Sequence, residues 1–341
     1  MTWMIGGVAV VANAADPPSK AVLPEHLNEA SLRSVKNGLD YLANTQQANG
    51  AWFNAGTYGH YPTSMTALAG TALLGSGSTP ESGPYAPNIK RAMQFLLECA
   101  EAETSGIIST GTEGRSTHGH GFAMMFLAEC YGDELDSKTQ QRVKKVLENA
   151  VNLAARGQSK AGGWFYTPES GNNDEGSTTV TILQGLRAAR NAGIKVPPTT
   201  IERSVKYLEL CQNADGGISY SATSLGSSRP PISAAAVATL YAAGQYDSKM
   251  ATKCLDYCTS VISPTRADGH YFYTQLYMSQ ALYQVHDQRY HKYYPQLRDY
   301  LVSIQAADGS WNGDGIGTVY GTAIACIILQ LPYDYLPIFQ R

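Results

Sequence analysis

The sequence predicts an all-α protein built as an (α/α)6 toroid, six helix pairs arranged as an inner and an outer ring. Three observations predict it. A loop running from Gln through Gly to an aromatic or apolar residue recurs, an amphipathic stretch precedes each copy, and a stretch rich in small residues follows. Repetition at this period fixes the architecture before any site is considered.

The clearest copies hold Gln46, Gly50 and Trp52; Gln158, Gly162 and Trp164; Gln212, Gly216 and Ile218; and Gln305, Gly309 and Trp311. Before them, apolar residues step by four and three, which marks one stripe of an α-helix. Unit one has Val35, Leu39 and Leu42. Unit two has Ile89, Met93 and Leu96, with a degenerate loop ending near Gly106. Unit three has Leu147, Val151 and Ala154. Unit four has Ile201, Val205 and Leu208. Unit five has Cys254, Cys258 and Val261, its loop reaching Tyr271. Unit six has Tyr294, Leu297, Leu301 and Ile304. Cys254 and Cys258 thus stand where Val, Ile and Leu stand elsewhere and read as small buried hydrophobes, although their spacing also fits half a metal site. The repeat alignment argues against disulfides for most of the cysteines, and a bridge such as Cys99 to Cys130 fits within unit two.

The second stretches include residues 64–70, 121–126, 232–238 and 321–326, dense in Ala, Ser, Thr and Gly. Small side chains let helices approach closely, and a helix surrounded on all sides is apolar all round. These stretches therefore form the inner ring and the amphipathic ones the outer. Closure is favoured over an open superhelix because strong polar caps are not evident at the two ends. The Pro-broken apolar tail after Leu331 cannot be a seventh pair and is expected to fold back on the toroid.

The chain has 341 residues, 25 Lys and Arg against 28 Asp and Glu, and 43% hydrophobic residues. That balance supports one large core and argues against nucleic acid as partner. No stretch is long enough to span a membrane. The apolar run over residues 3–11, followed by Ala12-Asn13-Ala14, reads as a secretory signal, so residues 1–14 are expected to be a signal peptide, residues 15–341 a single domain, and the protein exported.

The repeated loops resemble the QW repeats of the terpenoid cyclase and protein prenyltransferase superfamily, over roughly residues 30 to 330. The resemblance implies that Gln46, Gln158 and Gln305 tie down helix ends and that Trp52, Trp164 and Trp311 pack across the next unit. It implies a ligand cavity where the inner helices begin. Proton-initiated cyclases of that family carry D-x-D-D at such a point. The matching stretch here is Asp174-Glu175-Gly176-Ser177, which keeps the first acid alone. The zinc ligands of the prenyltransferases would fall at Pro231-Ile232-Ser233-Ala234, which offers none.

Titratable and aromatic residues gather just before the second stretches: His60 and Tyr61; Arg115, His118 and His120; Asp174 and Glu175; Arg229; Asp268, His270 and Tyr271; Asp314 and Tyr320. If the ring closes, six helix N-termini share this end, favouring anions or developing negative charge. His118, His120 and Asp174 are the candidate acid–base residues. His60, Tyr61, Arg115, Glu175, Arg229, His270, Tyr271, Tyr273, Tyr277 and Tyr320 are the candidate ligand contacts. Tyr273 and Tyr277, four apart, would share one helix face. The H-x-H pair is weak spacing for a metal, so no metal or cofactor is expected. Three functions fit: an isoprenoid or other lipid bound in the central cavity; a polysaccharide lyase-like enzyme with Arg115 or Arg229 neutralising a uronate; and a non-catalytic interaction protein. A cavity lined by Phe, Trp, Leu and Met would favour the first, and a polar groove with Arg and Tyr the second.

Overall fold

The computed structural model describes residues 23–53, 59–132, 135–168, 173–267 and 269–340. The signal-peptide stretch lies outside them. The helices alternate outer and inner: α1 (Glu29–Thr45) and α2 (Pro62–Leu74), α3 (Ala86–Glu101) and α4 (Ser116–Cys130), α5 (Ser137–Gly157) and α6 (Gly176–Asn191), α7 (Pro198–Cys211) and α8 (Pro230–Ala242), α9 (Lys249–Val261) and α10 (Tyr271–Val285), α11 (Gln288–Ser303) and α12 (Thr318–Gln330). No strand occurs among the described residues.

The inner ring closes. Each inner helix touches the next, and α12 meets α2 while α1 meets both α11 and α12. Every residue of α2 is buried, and α4, α8 and α12 are nearly so, whereas the outer helices bury one stripe each. Glycine makes the tightest inner contact possible. A side chain at Gly121 of α4 would meet the Thr181 carbonyl of α6 at 2.6 Å, and one at Gly185 would meet the Gly121 carbonyl at 2.7 Å.

The repeated loops join the units by one geometry. Gln46 Nε2 donates to Gly50 O in its own loop and to Asn88 O of α3, at 3.0 and 2.9 Å. Gln158 does the same to Gly162 and Thr200 of α7, and Gln212 to Gly216 and Met250 of α9. Gln305 reaches Gly309 and Ser34 of α1, both at 2.9 Å, and so shuts the seam between last and first units. The loop glycine is required twice over. Gly50 has φ +89 and would drive a side chain to within 2.3 Å of Arg91 O, and Gly162 has φ +105 with Arg203 O at 2.2 Å. Each Trp indole donates to the last turns of its own outer helix: Trp52 to Leu42 O, Trp164 to Ala154 O and Trp311 to Leu301 O. Trp311 also fills the space above Gly38 of the next unit. Burying roughly 200 Å² of indole stabilises by about 5 kcal/mol per Trp relative to exposure.

Unit four departs from the sequence reading by one residue. In α7 the buried residues are Thr200, Ser204, Tyr207, Leu208 and Cys211, while Ile201 and Val205 stay half-buried. The reason is polar: Gln158 takes the Thr200 carbonyl and the Ser204 hydroxyl, at 2.9 and 3.0 Å. All six cysteines are buried free thiols, Cys99 and Cys130 included. After α12 the chain makes two single-turn 3-10 helices, Leu331–Tyr333 and Pro337–Phe339; the second packs across the ends of α4, α6 and α10.

Candidate functional site at the mouth of the toroid

The N-terminal ends of the inner helices gather the polar chemistry. α4 begins at Ser116, so His118 and His120 lie inside its first turns rather than before it. Two residues on a helix differ by about 200° in direction, so the two imidazoles part. His120 turns outward toward α5. It is wholly buried; its Nδ1 accepts from Ile108 N–H at 3.1 Å, and its Nε2 contacts Ala150 O at 3.3 Å, which requires N–H there. Both nitrogens are thereby spent on backbone. Burial lowers its pKa to about 4. His120 is a packing residue, a correction to its candidacy as acid or base.

His118 turns inward. Its Nε2 lies 2.9 Å from Ser177 Oγ, and Ser177 Oγ donates to Glu175 Oε2 at 2.7 Å. Serine has one hydroxyl proton, so Ser177 accepts from His118 Nε2–H and leaves Nδ1 as a free acceptor. Burial lowers the His118 pKa, opposed by the Glu175 carboxylate and assisted by Arg115. The imidazole is therefore neutral at pH 7 and able to take a proton.

Glu175 is the N-cap of α6 and also accepts from Ser177 N–H and Thr178 N–H, both at 3.0 Å. It anchors the His118 chain and satisfies the helix end at once. Other mouth ends are satisfied likewise. Glu113, from the loop before α4, accepts from Thr63 N–H and its hydroxyl at the start of α2. Asp314 accepts from Phe272 and Tyr273 N–H at the start of α10. The chain's own carboxylates thus occupy three of the six positive ends, which narrows the expectation of an anion-attracting rim to the starts of α4, α8 and α12, where no side chain caps the helix.

Asp174 is buried beneath the rim. Its Oδ1 accepts from Ser221 Oγ and Ala222 N–H, both at 2.9 Å, while Oδ2 has no hydrogen-bond partner among the described residues. It braces the 219–223 loop and lies close enough to the Tyr207 phenol to help raise its pKa, behind burial and Cys211. A side chain at Gly176 would run into Ile232 at 2.5 Å, so the acid that cyclases carry at that point has no room here.

From α10 and α12 come tyrosines. Tyr273 and Tyr277 share one face, ring centroids 4.8 Å apart, and both hydroxyls are buried without a hydrogen-bond partner among the described residues. Burial raises both pKa values, with neighbouring Tyr277, Glu175 and Tyr320 adding to the effect at Tyr273. Tyr320 stands beside Tyr277 and Asp314 and is raised likewise. One turn further along α10, Gln280 accepts from Gln184 of α6 at 2.7 Å, a bond between inner helices that α8 separates. Gln280 Nε2 and Gln284 Oε1 continue the row of polar atoms without partners among the described residues. Tyr273, Tyr277, Gln280 and Gln284 are one helical stripe of polar groups.

The rim is sorted differently from the sequence reading. Arg115 is exposed and lies over the Tyr166 ring, 4.4 Å from its centroid. Tyr166 in turn touches His118, centroids 6.0 Å apart, and hydrogen-bonds Tyr220 through their hydroxyls. Tyr166, Ser177 and Tyr220 escaped the sequence reading; the position of Tyr166 two residues past Trp164 was the available signal. His60 is exposed with Phe53 edge-on, Tyr61 is the left-handed cap of α2, and Arg229 and His270 are exposed caps of α8 and α10. Tyr271 faces away from the mouth: its hydroxyl donates to Pro264 O at 2.6 Å and its ring meets Tyr300 of α11. It is thereby removed from the ligand contacts. His118, Glu175, Tyr273, Tyr277, Tyr320 and Arg115 are the sequence-predicted residues that the fold brings toward one place; Asp268 lies outside the described residues.

The family model for the squalene-hopene cyclase C-terminal domain matches residues 129–297. Over that stretch, just under half of the chain, the sequence is similar to this family, and the solved structures that follow share its α/α-toroid fold. The chain is similar to the type II terpene cyclase MstE from Scytonema, at 15% identity and TM-score 0.61, over 90% of this chain and 99% of that one. A variant of that cyclase in complex with geranylgeranyl dihydroxybenzoate, its substrate, matches at 13% identity and TM-score 0.59, over 91% and 98% of the two chains. An α-1,6-mannanase from Salegentibacter sp. HEL1_6, an inactive variant in complex with α-1,6-mannotriose, matches at 10% identity and TM-score 0.64, over 89% and 99%. No curated protein sequence matches. Among the described residues no helix is long and apolar enough to cross a membrane.

Proposed function

We propose that this toroid is an exported carbohydrate-active protein that binds a uronate-containing sugar chain at its polar mouth, with His118 as general base. The observation that carries the reading is the pair of buried tyrosine hydroxyls, Tyr273 and Tyr277, without partners among the described residues, near the His118–Ser177–Glu175 chain. A buried hydroxyl left unpaired costs roughly 1–3 kcal/mol, so such a row is built to meet the hydroxyls of a ligand or water. A hydrocarbon chain would leave the row unpaired. The carbohydrate complex of the structurally similar mannanase supports the capacity of this architecture for sugars. Export rests on the apolar run at residues 3–11 and Ala12-Asn13-Ala14.

The chemistry that fits is elimination. Arg115 pairs with the sugar carboxylate, which acidifies the adjacent carbon. His118 Nδ1 takes the proton from that carbon, the freed pair forms a C=C bond, and the glycosidic C–O bond breaks. The leaving oxygen takes a proton from Tyr273, whose raised pKa keeps it protonated. The test is incubation with acidic polysaccharides, reading the ultraviolet absorbance of the unsaturated product. Activity lost in His118→Gln and weakened in Tyr273→Phe supports the reading. Binding of a geranylgeranyl ligand that Tyr273→Phe leaves intact, with no product from any uronate polymer, overturns it.

The isoprenoid reading keeps one specific support, the match to the cyclase family model. Against it stand the Gly176 crowding and the polar stripe of α10.

A further inference from the structure

Away from the mouth, where the first unit meets the last, a turn preceding α1 lies against α11. His26 there has φ 68, and its carbonyl is held by the Arg298 guanidinium, itself paired with Asp299 at 2.8 Å. Three donor atoms face one another. His26 Nε2 lies 2.9 Å from His291 Nδ1 and 3.4 Å from Glu25 Oε1, and His291 Nδ1 lies 3.2 Å from the same Glu25 oxygen. Among the described residues this is the group of His, Cys, Asp or Glu compact enough to share an ion. The mouth histidines form no such group.

Those edges have a physical reading. A tetrahedral ion with bonds of about 2.0–2.1 Å holds its ligand atoms about 3.3 Å apart. Edges of 2.9, 3.2 and 3.4 Å describe one face of that tetrahedron. Two imidazoles with one carboxylate select zinc and its transition-metal neighbours over magnesium or calcium, which prefer all-oxygen shells. The rings are held in place: His26 lies edge-on to Tyr290 at 5.5 Å, and the Tyr290 ring is buried. His286, its centroid 5.2 Å from that of His291, is the nearest further imidazole.

We propose that Glu25 Oε1, His26 Nε2 and His291 Nδ1 form a zinc site, completed by water or His286, that staples the segment before α1 to α11. Binding needs both facing nitrogens unprotonated. The proton now shared between them moves to the other nitrogen of its own ring, and no net charge is lost from the protein. The staple lies on the same seam that Gln305 closes through Ser34.

The test uses the full chain, stripped with chelator and titrated with zinc against a chromophoric competitor, with thermal melting read alongside. One zinc per chain and a raised melting temperature are expected. His291→Ala and Glu25→Gln should each weaken binding by at least about tenfold and remove the thermal shift, while magnesium gives none. His291→Asn, melting like the metal-free parent, separates ligand loss from misfolding. Zinc binding unchanged in these variants but lost in His118→Ala would place the metal at the mouth and overturn the proposal. So would an absence of zinc binding in the parent protein.

Discussion

The two ends of the toroid are made from the same six inner helices, yet they are opposite in chemistry. At the mouth the helices begin, and at three of the six a carboxylate satisfies the N–H groups they expose: Glu113 on α2, Glu175 on α6 and Asp314 on α10. At the far end the helices finish, and the returning tail covers them. Ile338 and Phe339 are buried there; Gln284 donates to Gln340 O, and Gln330 of α12 donates to Ala72 O of α2. Glu129, near the end of α4, lies close to the Ile338 backbone, and burial lifts its pKa to about 7. Helix starts need acceptors and helix ends need donors or cover. One end therefore collects acids and remains open to chemistry, while the other is closed by chain.

That contrast breaks most visibly by removing the cover. Truncation after Asp334 deletes Ile338 and Phe339 and should cost roughly 3–6 kcal/mol of unfolding free energy in urea. If the ends are as separate as described, the truncated protein still folds at low denaturant and keeps its mouth chemistry. A loss of both together would show one cooperative unit instead.

Next in size are two pH effects of opposite sign. His120 has a folded pKa of about 4 against 6.5 when unfolded, so its stability is fully present above pH 6.5 and is lost as pH falls toward 4, about 3 kcal/mol in all. Glu129 has a folded pKa of about 7 against 4.5, so its contribution is fully present below pH 4.5 and is lost as pH rises through 7, about 2 kcal/mol given its partial exposure. Unfolding free energies from pH 4 to 8 should therefore fall at both limits. Glu129→Gln should flatten the upper limb alone, since the amide does not titrate.

At the mouth, Glu175→Ala removes a cap and the anchor of Ser177. It should cost about 1–2 kcal/mol and lower the His118 pKa further, visible in an NMR titration of the imidazole. The smallest effect has the most diagnostic sign. Tyr273→Phe removes a buried hydroxyl that has no partner among the described residues, so it should stabilise the free protein by about 1 kcal/mol while weakening ligand binding. Destabilisation would mean that the hydroxyl has a partner within the fold.

Much of the architecture was legible in residue order. Gln46, Gln158, Gln212 and Gln305 each reach one glycine carbonyl and one carbonyl of the next outer helix, and Thr or Ser on the inner helix receives the N–H of Trp52, Trp164, Ile218 and Trp311. The site was less legible. His118 and His120 read as a pair because the start of α4 was placed too late, and helical rotation then sends them to opposite sides. Tyr271 read as a mouth residue because it adjoins His270, yet it is the first residue of α10 and points outward. Glu113 caps a helix that begins fifty residues earlier in the chain, a contact between neighbouring units that no local pattern announces.

The sequence by itself determined the repeat, the alternation of amphipathic and small-residue helices, and the linkage of each unit to the next. These are local periodicities and short-range hydrogen bonds, written in neighbouring residues. Only the tertiary structure decided which polar groups meet: His118 with Ser177 from the next unit, Gln184 with Gln280 across an intervening helix, Glu25 and His26 with His291 at the seam. Closure of the ring brings residues more than two hundred positions apart within hydrogen-bond reach, and the angle at which each side chain leaves its helix decides whether they meet.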